Sequence, residues 1–127
     1  MTIDGWRPFF LVDRVTLDAS GNGISTLSTG SGEEFEGESI DFIVSAGTFN
    51  IIQMKDSGGN GFTDANSSNP LPGAFFLTTL DQRIKNGVFA VPLTLKPSGI
   101  FTVEFSGGNA SATIDVVIKG KKQASTG

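Results

Sequence analysis

The chain has no cysteine, no histidine and no tyrosine among its 127 residues. Without cysteine there are no disulfide bonds, no thiolate nucleophile and no sulfur-ligated zinc or iron–sulfur centre. Without histidine there is no Ser–His or Cys–His catalytic pair and no imidazole metal ligand. Proton transfer would depend on carboxylates and lysines alone. The inventory therefore predicts a protein that is not an enzyme and uses no metal or other cofactor.

Charge is also sparse, since 17% of the residues are charged and the formal net charge is -4, against a typical charged share of about 25%. Binding to nucleic acid or to an anionic membrane needs a basic face, so we expect neither partner. The apolar runs, such as those at 42–44 and 74–77, are far shorter than a membrane span. The first residues also lack the basic and apolar segments of a secretory signal.

Hydrophobic residues recur with a period of two, which is typical of half-buried strands. Within 39–45, for example, Ile40, Phe42 and Val44 fall on one face. The same alternation is present at 100–105 and 112–118, and segments rich in β-branched or aromatic residues predict further strands at 9–17, 23–29, 48–55, 74–79 and 88–95. Turn signals separate them at 18–23, 86–87, 96–99 and 106–109. Residues 80–85 predict at most one helical turn.

About eight short strands joined by glycine-rich turns predict an all-β fold, an antiparallel two-sheet sandwich that is jelly-roll-like. Pro92 cannot donate a ladder hydrogen bond, so it predicts an edge strand, a bulge or a change of sheet. A seven-stranded immunoglobulin-like sandwich is the alternative, although its usual cysteines and core tryptophan are missing. We expect one domain over 1–127, with a short N-terminal arm over about 1–8 and a basic C-terminal tail over 119–127.

The aperiodic segment 56–72 is a long loop, and long loops are the first place to look for a site. We expect Phe62 to anchor this loop on the sandwich edge, and we assign Phe62 and Asn66 as the candidate site residues of the exposed loop. Asp56 begins a sequence similar to a calcium-binding loop, but the twelfth position is Ser67 in place of the bidentate glutamate. We therefore predict no metal site here.

Two charged clusters have both a functional and a structural interpretation. Acidic residues are concentrated at 33–41, where metal binding or paired-carboxylate catalysis competes with a solvated strand edge that discourages aggregation; we favour the solvated edge. Lys119, Lys121 and Lys122 could contact phosphate or an acidic partner. A solubilising tail is the interpretation we prefer for these lysines.

The N-terminus is rich in aromatic residues. Trp6, Arg7, Phe9 and Phe10 are residue types favoured as interface anchors, so we predict that they form a subunit or lattice contact. In the alternative, Phe9 and Phe10 begin a core strand and Trp6 caps its end. Both interpretations can hold at once.

Four segments carry a resemblance to a known group of proteins: Arg7–Pro8–Phe9–Phe10, Asn69–Pro70–Leu71–Pro72, residues 88–97, and Ile118–Lys119–Gly120. In this order, over about residues 6–121, they resemble the small β-sandwich structural proteins of bacteriophage virions. The resemblance implies a capsid-associated or decoration role, in a virion, for a protein made soluble in the host cytoplasm. It supplies no catalytic residue.

We therefore expect a non-enzymatic virion structural protein that forms a homo-oligomer and contacts other virion proteins, such as a major capsid or tail lattice, through its N-terminal arm and sheet edges. The competing hypothesis is a carbohydrate-binding or adhesion module that recognises a host glycan. Such a site usually needs an exposed aromatic platform, for which only Trp6 and Phe62 are available. An enzyme that uses carboxylates alone ranks last.

Overall fold

The computed structural model describes residues 5–73 and 89–124. They form eight strands: β1 (Arg7–Thr16), β2 (Gly23–Ser28), β3 (Glu33–Val44), β4 (Asn50–Asp56), β5 (Leu71–Pro72), β6 (Phe89–Leu95), β7 (Ile100–Ser106) and β8 (Thr113–Ala124). In these two ranges no helix has the length and apolarity needed to cross a membrane. The strand predicted at 74–79, the helical turn at 80–85 and the turn at 86–87 lie outside the described residues.

The strands form two four-stranded sheets, sheet I in the order β1-β8-β3-β6 and sheet II in the order β2-β7-β4-β5. Every pairing is antiparallel. The first strand pairs with the last, the second with the seventh, the third with the sixth and the fourth with the fifth. This is the order produced when one long antiparallel hairpin is rolled up, so the predicted jelly-roll-like sandwich is confirmed. The immunoglobulin-like alternative is wrong.

The core lies between the two sheets and is filled by the residues that alternate inward along each strand. Ile40 and Phe42 of β3 are fully buried, as are Phe101, Val103 and Phe105 of β7. The rings of Phe42, Phe49 and Phe105 pack against one another with centroids 5.4 to 5.9 Å apart. The aromatic residues thus join the two sheets at the centre of the sandwich.

Both ends of the chain contribute more to sheet I than the sequence predicted. The last two residues of the arm predicted over about 1–8 belong to β1, which begins at Arg7. The basic tail expected from Lys119 is wrong over the described residues, because β8 continues to Ala124 between β1 and β3. Lys119, Lys121 and Lys122 therefore occupy strand positions, where their side chains have fixed neighbours.

The acidic segment is not a sheet edge. Strand β3 begins at Glu33 and pairs with β8 on one side and β6 on the other, and Phe35, flanked by two glutamates, is fully buried. Among the described strands the edges of sheet I are β1 and β6, and along β6 the register shifts between the pairs Gly37–Leu93 and Ser39–Ala90. Pro92 lies in that interval, so the predicted edge strand and bulge are both present.

Candidate functional site

The outer face of sheet I carries an apolar patch, which we define as Phe10, Val12, Ile43 and Val117. Phe10, Val12 and Ile43 are 55%, 62% and 52% exposed. Val117 is partly buried between them. Phe10, Ile43 and Val117 line a depression of about 240 Å³, together with Asp41 and Lys119. Exposed apolar clusters on a soluble domain indicate interaction sites, whereas isolated ones do not.

The strand register brings the patch together from three strands. Phe10 of β1 lies opposite Lys119 of β8, which lies opposite Ser39 of β3. Two residues further along, Val12 lies opposite Val117, which lies opposite Asp41. Because side chains two apart on a strand share a face, these two rows are neighbours on the same surface.

A third row of this face carries a charge pair. Arg14 donates two hydrogen bonds to Asp115, from Nε to Oδ1 at 2.6 Å and from the guanidinium NH2 to Oδ2 at 3.0 Å. The bond from Arg14 holds the pKa of Asp115 below its ordinary value and raises that of the guanidinium. This bidentate contact fixes the edge of β1 to β8 beside the patch. Asp115 lies opposite Ile43 in the same row.

At the other end of sheet I, lysines and glutamates form three ion pairs. Lys121–Glu36 and Lys96–Glu34 lie on the outer side, and Lys122–Glu33 lies on the inner side beside Phe9. The Nζ–Oε distances are 3.1 Å for Lys122–Glu33, 3.6 Å for Lys121–Glu36 and 3.5 Å for Lys96–Glu34. The hydrogen bond from Lys122 lowers the pKa of Glu33 below its ordinary value. The glutamates of the acidic segment therefore neutralise lysines of β8 and of the turn after β6. Residues of both charge signs flank the apolar patch.

The structure divides the four predicted contact residues between two faces. Phe10 and Trp6 lie on the outer side, with Trp6 37% exposed and Lys121 Nζ 5.5 Å from the centre of its ring. Phe9 packs against the core, its ring edge-on to Phe35 at 6.3 Å and 3.8 Å from Lys122 Nζ. Arg7 is exposed at the start of β1. Period-two alternation separates Phe9 from Phe10.

Sequence reasoning missed the rest of the patch. Val12, Ile43 and Val117 were not predicted as site residues, although Ile43 and Val117 each interrupt the strict alternation of their strand with an apolar residue at an outward position. That interruption is the signal that could have identified them. Their proximity to Phe10 depends on the strand register, which no single segment of the sequence contains.

In the 56–72 loop, Phe62 anchors the chain as predicted. Its ring is edge-on to the fully buried Phe101, with centroids 5.5 Å apart, and its N–H donates to the Met54 carbonyl at 2.8 Å. Asn66 is exposed as predicted, but its side-chain oxygen accepts the backbone N–H groups of Ser68 and Asn69, both at 2.9 Å. Both side chains therefore stabilise the loop itself.

Asp56 organises the start of the same loop. The residue is only 8% exposed, and its carboxylate accepts hydrogen bonds from the N–H groups of Gly58 and Asn60 and from the Asn60 side-chain amide. These bonds, led by the side chain of Asn60, lower the pKa of Asp56. The sequence similar to a calcium loop is thus an Asx turn that closes β4. Over residues 5–73 and 89–124 no cluster of three or more acidic residues is placed to hold a metal ion.

No protein-family model, no curated protein and no solved structure matches this chain. We therefore infer its function from the chemistry of the surfaces described above.

Proposed function

We propose that the protein is a non-enzymatic structural subunit of a virus particle, capsid-associated or decorating its surface. It assembles through the outer face of sheet I and the edge strand β1. The observation that carries the proposal is the apolar patch, because three side chains more than half exposed lie together on a face whose inner side already fills the core. Covering such a patch gains about 25 cal/mol per Å² removed from water, before the costs of ordering.

The fold class supports the same proposal. Jelly rolls are a common architecture of viral capsid proteins, in which a rigid sandwich presents its faces and loops to neighbouring subunits. The 56–72 loop is held by the Phe62 ring and by the Asp56 and Asn66 turns. A loop held by its own contacts keeps its conformation when the subunit docks, so little conformational entropy is lost on binding.

The test is whether the chain belongs to a particle. Particles purified by density gradient from cells that carry the gene are analysed by mass spectrometry, and the tagged chain is added to particles stripped of it. We expect the chain in the particle fraction and rebinding that Phe10→Asp abolishes. The matched control is Ile24→Asp, which places the same charge at a 59% exposed position on sheet II. Particles that form without the chain in their fraction refute the proposal.

A carbohydrate-binding module is the second candidate, because lectins also use jelly rolls. The Phe62 ring is packed on Phe101 and offers no platform. The favourable observation is an open cleft of about 480 Å³ on the outer side of sheet II, lined by apolar Ile24 and by polar groups including Asp18, Asn22 and Glu104. Glycan binding that Glu104→Gln abolishes and Phe10→Asp leaves intact would make this the function.

A further inference from the structure

Ser39 carries a buried hydroxyl for which residues 5–73 and 89–124 provide no hydrogen-bond partner. The residue is only 8% exposed. It lies opposite Lys119 of β8, next to the register shift in β3, and it lines the depression of about 240 Å³ on the outer face of sheet I. A hydroxyl buried without a partner costs free energy, so most such groups in folded proteins are paired. A molecule that enters the depression can supply the missing partner.

Lys119 lines the same depression and also has no partner in the described part of the chain. Its side chain is exposed and makes no ion pair or ring contact there. Its neighbours on β8 each face an aromatic ring, since Lys121 Nζ lies 5.5 Å from the centre of the Trp6 ring and Lys122 Nζ lies 3.8 Å from that of Phe9. An ammonium beside an apolar depression attracts the face of an aromatic ring in the same way.

The lining of the depression disfavours a charged occupant. Most of it is apolar surface from Phe10, Ile43 and Val117. Lys119 and Asp41 add one charge of each sign, and Asp41 Oδ1 already accepts a backbone N–H at 2.9 Å. Because the two charges offset each other, neither an anion nor a cation gains much on entering. An aromatic group that carries one neutral hydrogen-bonding atom fits these surroundings.

The size of the depression limits the occupant to one side chain. Its volume of about 240 Å³ is smaller than the roughly 300–1,000 Å³ of sites for drug-sized ligands. It is the volume of roughly eight water molecules in the liquid. A tyrosine side chain is of about this size, joins an aromatic ring to one hydroxyl, and is enriched at protein interfaces. The chain itself has no tyrosine, so this side chain belongs to a different protein.

We propose that the depression on the outer face of sheet I binds a tyrosine side chain of a partner protein. The ring packs on Phe10, Ile43 and Val117. The Lys119 ammonium faces the ring, and the phenol hydroxyl forms a hydrogen bond with Ser39. Both hydroxyls can donate and accept, so the bond forms in either direction. The inference names the chemistry of the partner at the surface used in the proposed function, and it rests on that proposal in taking the partner to be a protein.

The experiment uses two neutral probes that differ only in the hydroxyl, N-acetyl-tyrosine amide and N-acetyl-phenylalanine amide. Each is titrated into the full chain labelled with nitrogen-15, and the dissociation constant is taken from the amide chemical shifts. We expect shifts at Phe10, Val117 and Lys119. The tyrosine amide should bind about threefold to tenfold tighter, which is the contribution of one hydrogen bond. N-acetyl-leucine amide, which has no ring, should bind more weakly than either.

Ser39→Ala tests the hydrogen bond. The variant removes the buried hydroxyl, so we expect it to abolish the preference for the tyrosine amide while the phenylalanine amide binds as before. Since the hydroxyl has no partner in the described part of the chain, urea unfolding should show the variant to be at least as stable as the unmodified protein. Ser28→Ala, at an exposed position of sheet II, is the matched control and should change neither dissociation constant.

Lys119→Gln tests the contact with the ring. The variant removes the ammonium, and we expect both aromatic probes to bind about twofold to fivefold more weakly, with their ratio unchanged. Binding of the leucine amide should stay the same, because an aliphatic side chain has no ring for the ammonium to face. Lys55→Gln makes the same change at an exposed position of sheet II and should affect none of the three probes.

The outcomes separate this inference from the proposed function. Equal binding of the two aromatic probes, a preference that survives Ser39→Ala, or no shift on the outer face of sheet I overturns the tyrosine site. If the chain is nevertheless found on particles, the proposed function stands without it. Tyrosine binding as expected, by a chain that is never found on particles, leaves the site intact and removes the virion role.

Discussion

Ser25 donates a 2.8 Å hydrogen bond from its hydroxyl to Asp13 Oδ2, and this bond joins β2 of sheet II to β1 of sheet I. The same carboxylate oxygen accepts the backbone N–H of Thr26 at 3.2 Å. Ser25 is fully buried. Asp13 thus accepts hydrogen bonds from a buried hydroxyl and from a backbone N–H of the edge strand β2, at the corner where the two sheets meet. A charged side chain at this position also discourages the edge of β2 from pairing with a strand of another molecule.

Removing that carboxylate should destabilise the fold. Asp13→Ala leaves the Ser25 hydroxyl buried without its acceptor, which costs about 1–3 kcal/mol of the free energy of unfolding. Ser25→Ala in the same background removes the stranded hydroxyl, so the double variant should be more stable than the sum of the two single changes predicts. Urea unfolding of the four proteins measures this coupling, and strict additivity would contradict it.

The Asp56 turn predicts a loss of stability in acid. Hydrogen bonds from Asn60 and Gly58 depress the folded-state pKa below the ordinary value of 3.8. The unfolded chain therefore takes up a proton at higher pH than the folded chain does. The stabilisation is complete above the ordinary pKa and is lost as the pH falls through the lowered one.

The measurement is the free energy of unfolding from pH 7 to pH 2.5. In Asp56→Asn the side chain cannot ionise, so we expect its stability to fall less steeply below about pH 4. Part of the dependence remains, because hydrogen bonds from Lys122 and Arg14 also lower the pKa values of Glu33 and Asp115. An acid profile parallel to that of the unmodified protein would mean that the Asp56 turn contributes nothing to it.

Gly120 leaves room for a buried ring in sheet I. A Cβ added at this position would lie 2.7 Å from Cζ of the fully buried Phe35 and would also collide with the Glu36 carbonyl oxygen. Gly120→Ala should therefore cost about 1–3 kcal/mol through overpacking. Gly32→Ala is the matched control, since nothing lies within 4 Å of its added Cβ. Thermal denaturation should separate the two variants by several degrees.

Phe62→Ala should loosen the 56–72 loop and leave the sandwich folded. The change removes an edge-to-face contact with Phe101 worth about 0.5–1.5 kcal/mol beyond the area it buries. Hydrogen–deuterium exchange should then accelerate at residues 57–70, with β7 and β8 still protected. Uniformly faster exchange over all strands would show that Phe62 belongs to the global core. Asp64→Ala, at an exposed position of the same loop, is the control.

The sequence predicts the sandwich because the alternation of Phe, Val and Ile records which face of each strand is buried. It predicts the Phe62 anchor for the same reason, since a large apolar ring in a polar loop has to pack somewhere. It does not separate Phe9 from Phe10, which lie on opposite faces because adjacent strand residues point to opposite sides of a sheet. Of these two, Phe10 lies on the outer surface of sheet I, and the contact predicted for the N-terminal residues stays a prediction.

The acidic segment and the lysines were misassigned for a different reason. Charge suggested a solvated edge and a tail, yet Glu36 and Lys121 face each other on two strands that lie inside sheet I. Mutual pairing allows such charges on the outer side of a central strand, where each would otherwise disfavour the sheet. Pairing depends on register across about 85 residues of chain, and local patterns do not carry that information.

The position of β8 between β1 and β3 also governs how this protein is made. Arg14 and Asp115 are 101 residues apart in sequence, and at roughly 5–20 residues per second β1 emerges from the ribosome roughly 5–20 s before its partner. During that interval β1 and β3 have no central strand, and sheet I cannot close. Completion of sheet I therefore waits for β8, and folding is expected to be slow, as for other chains dominated by distant pairings. Until β8 is made, the unpaired edges of β1 and β3 are open to pairing with other chains, so we expect aggregation of nascent chains to compete with folding.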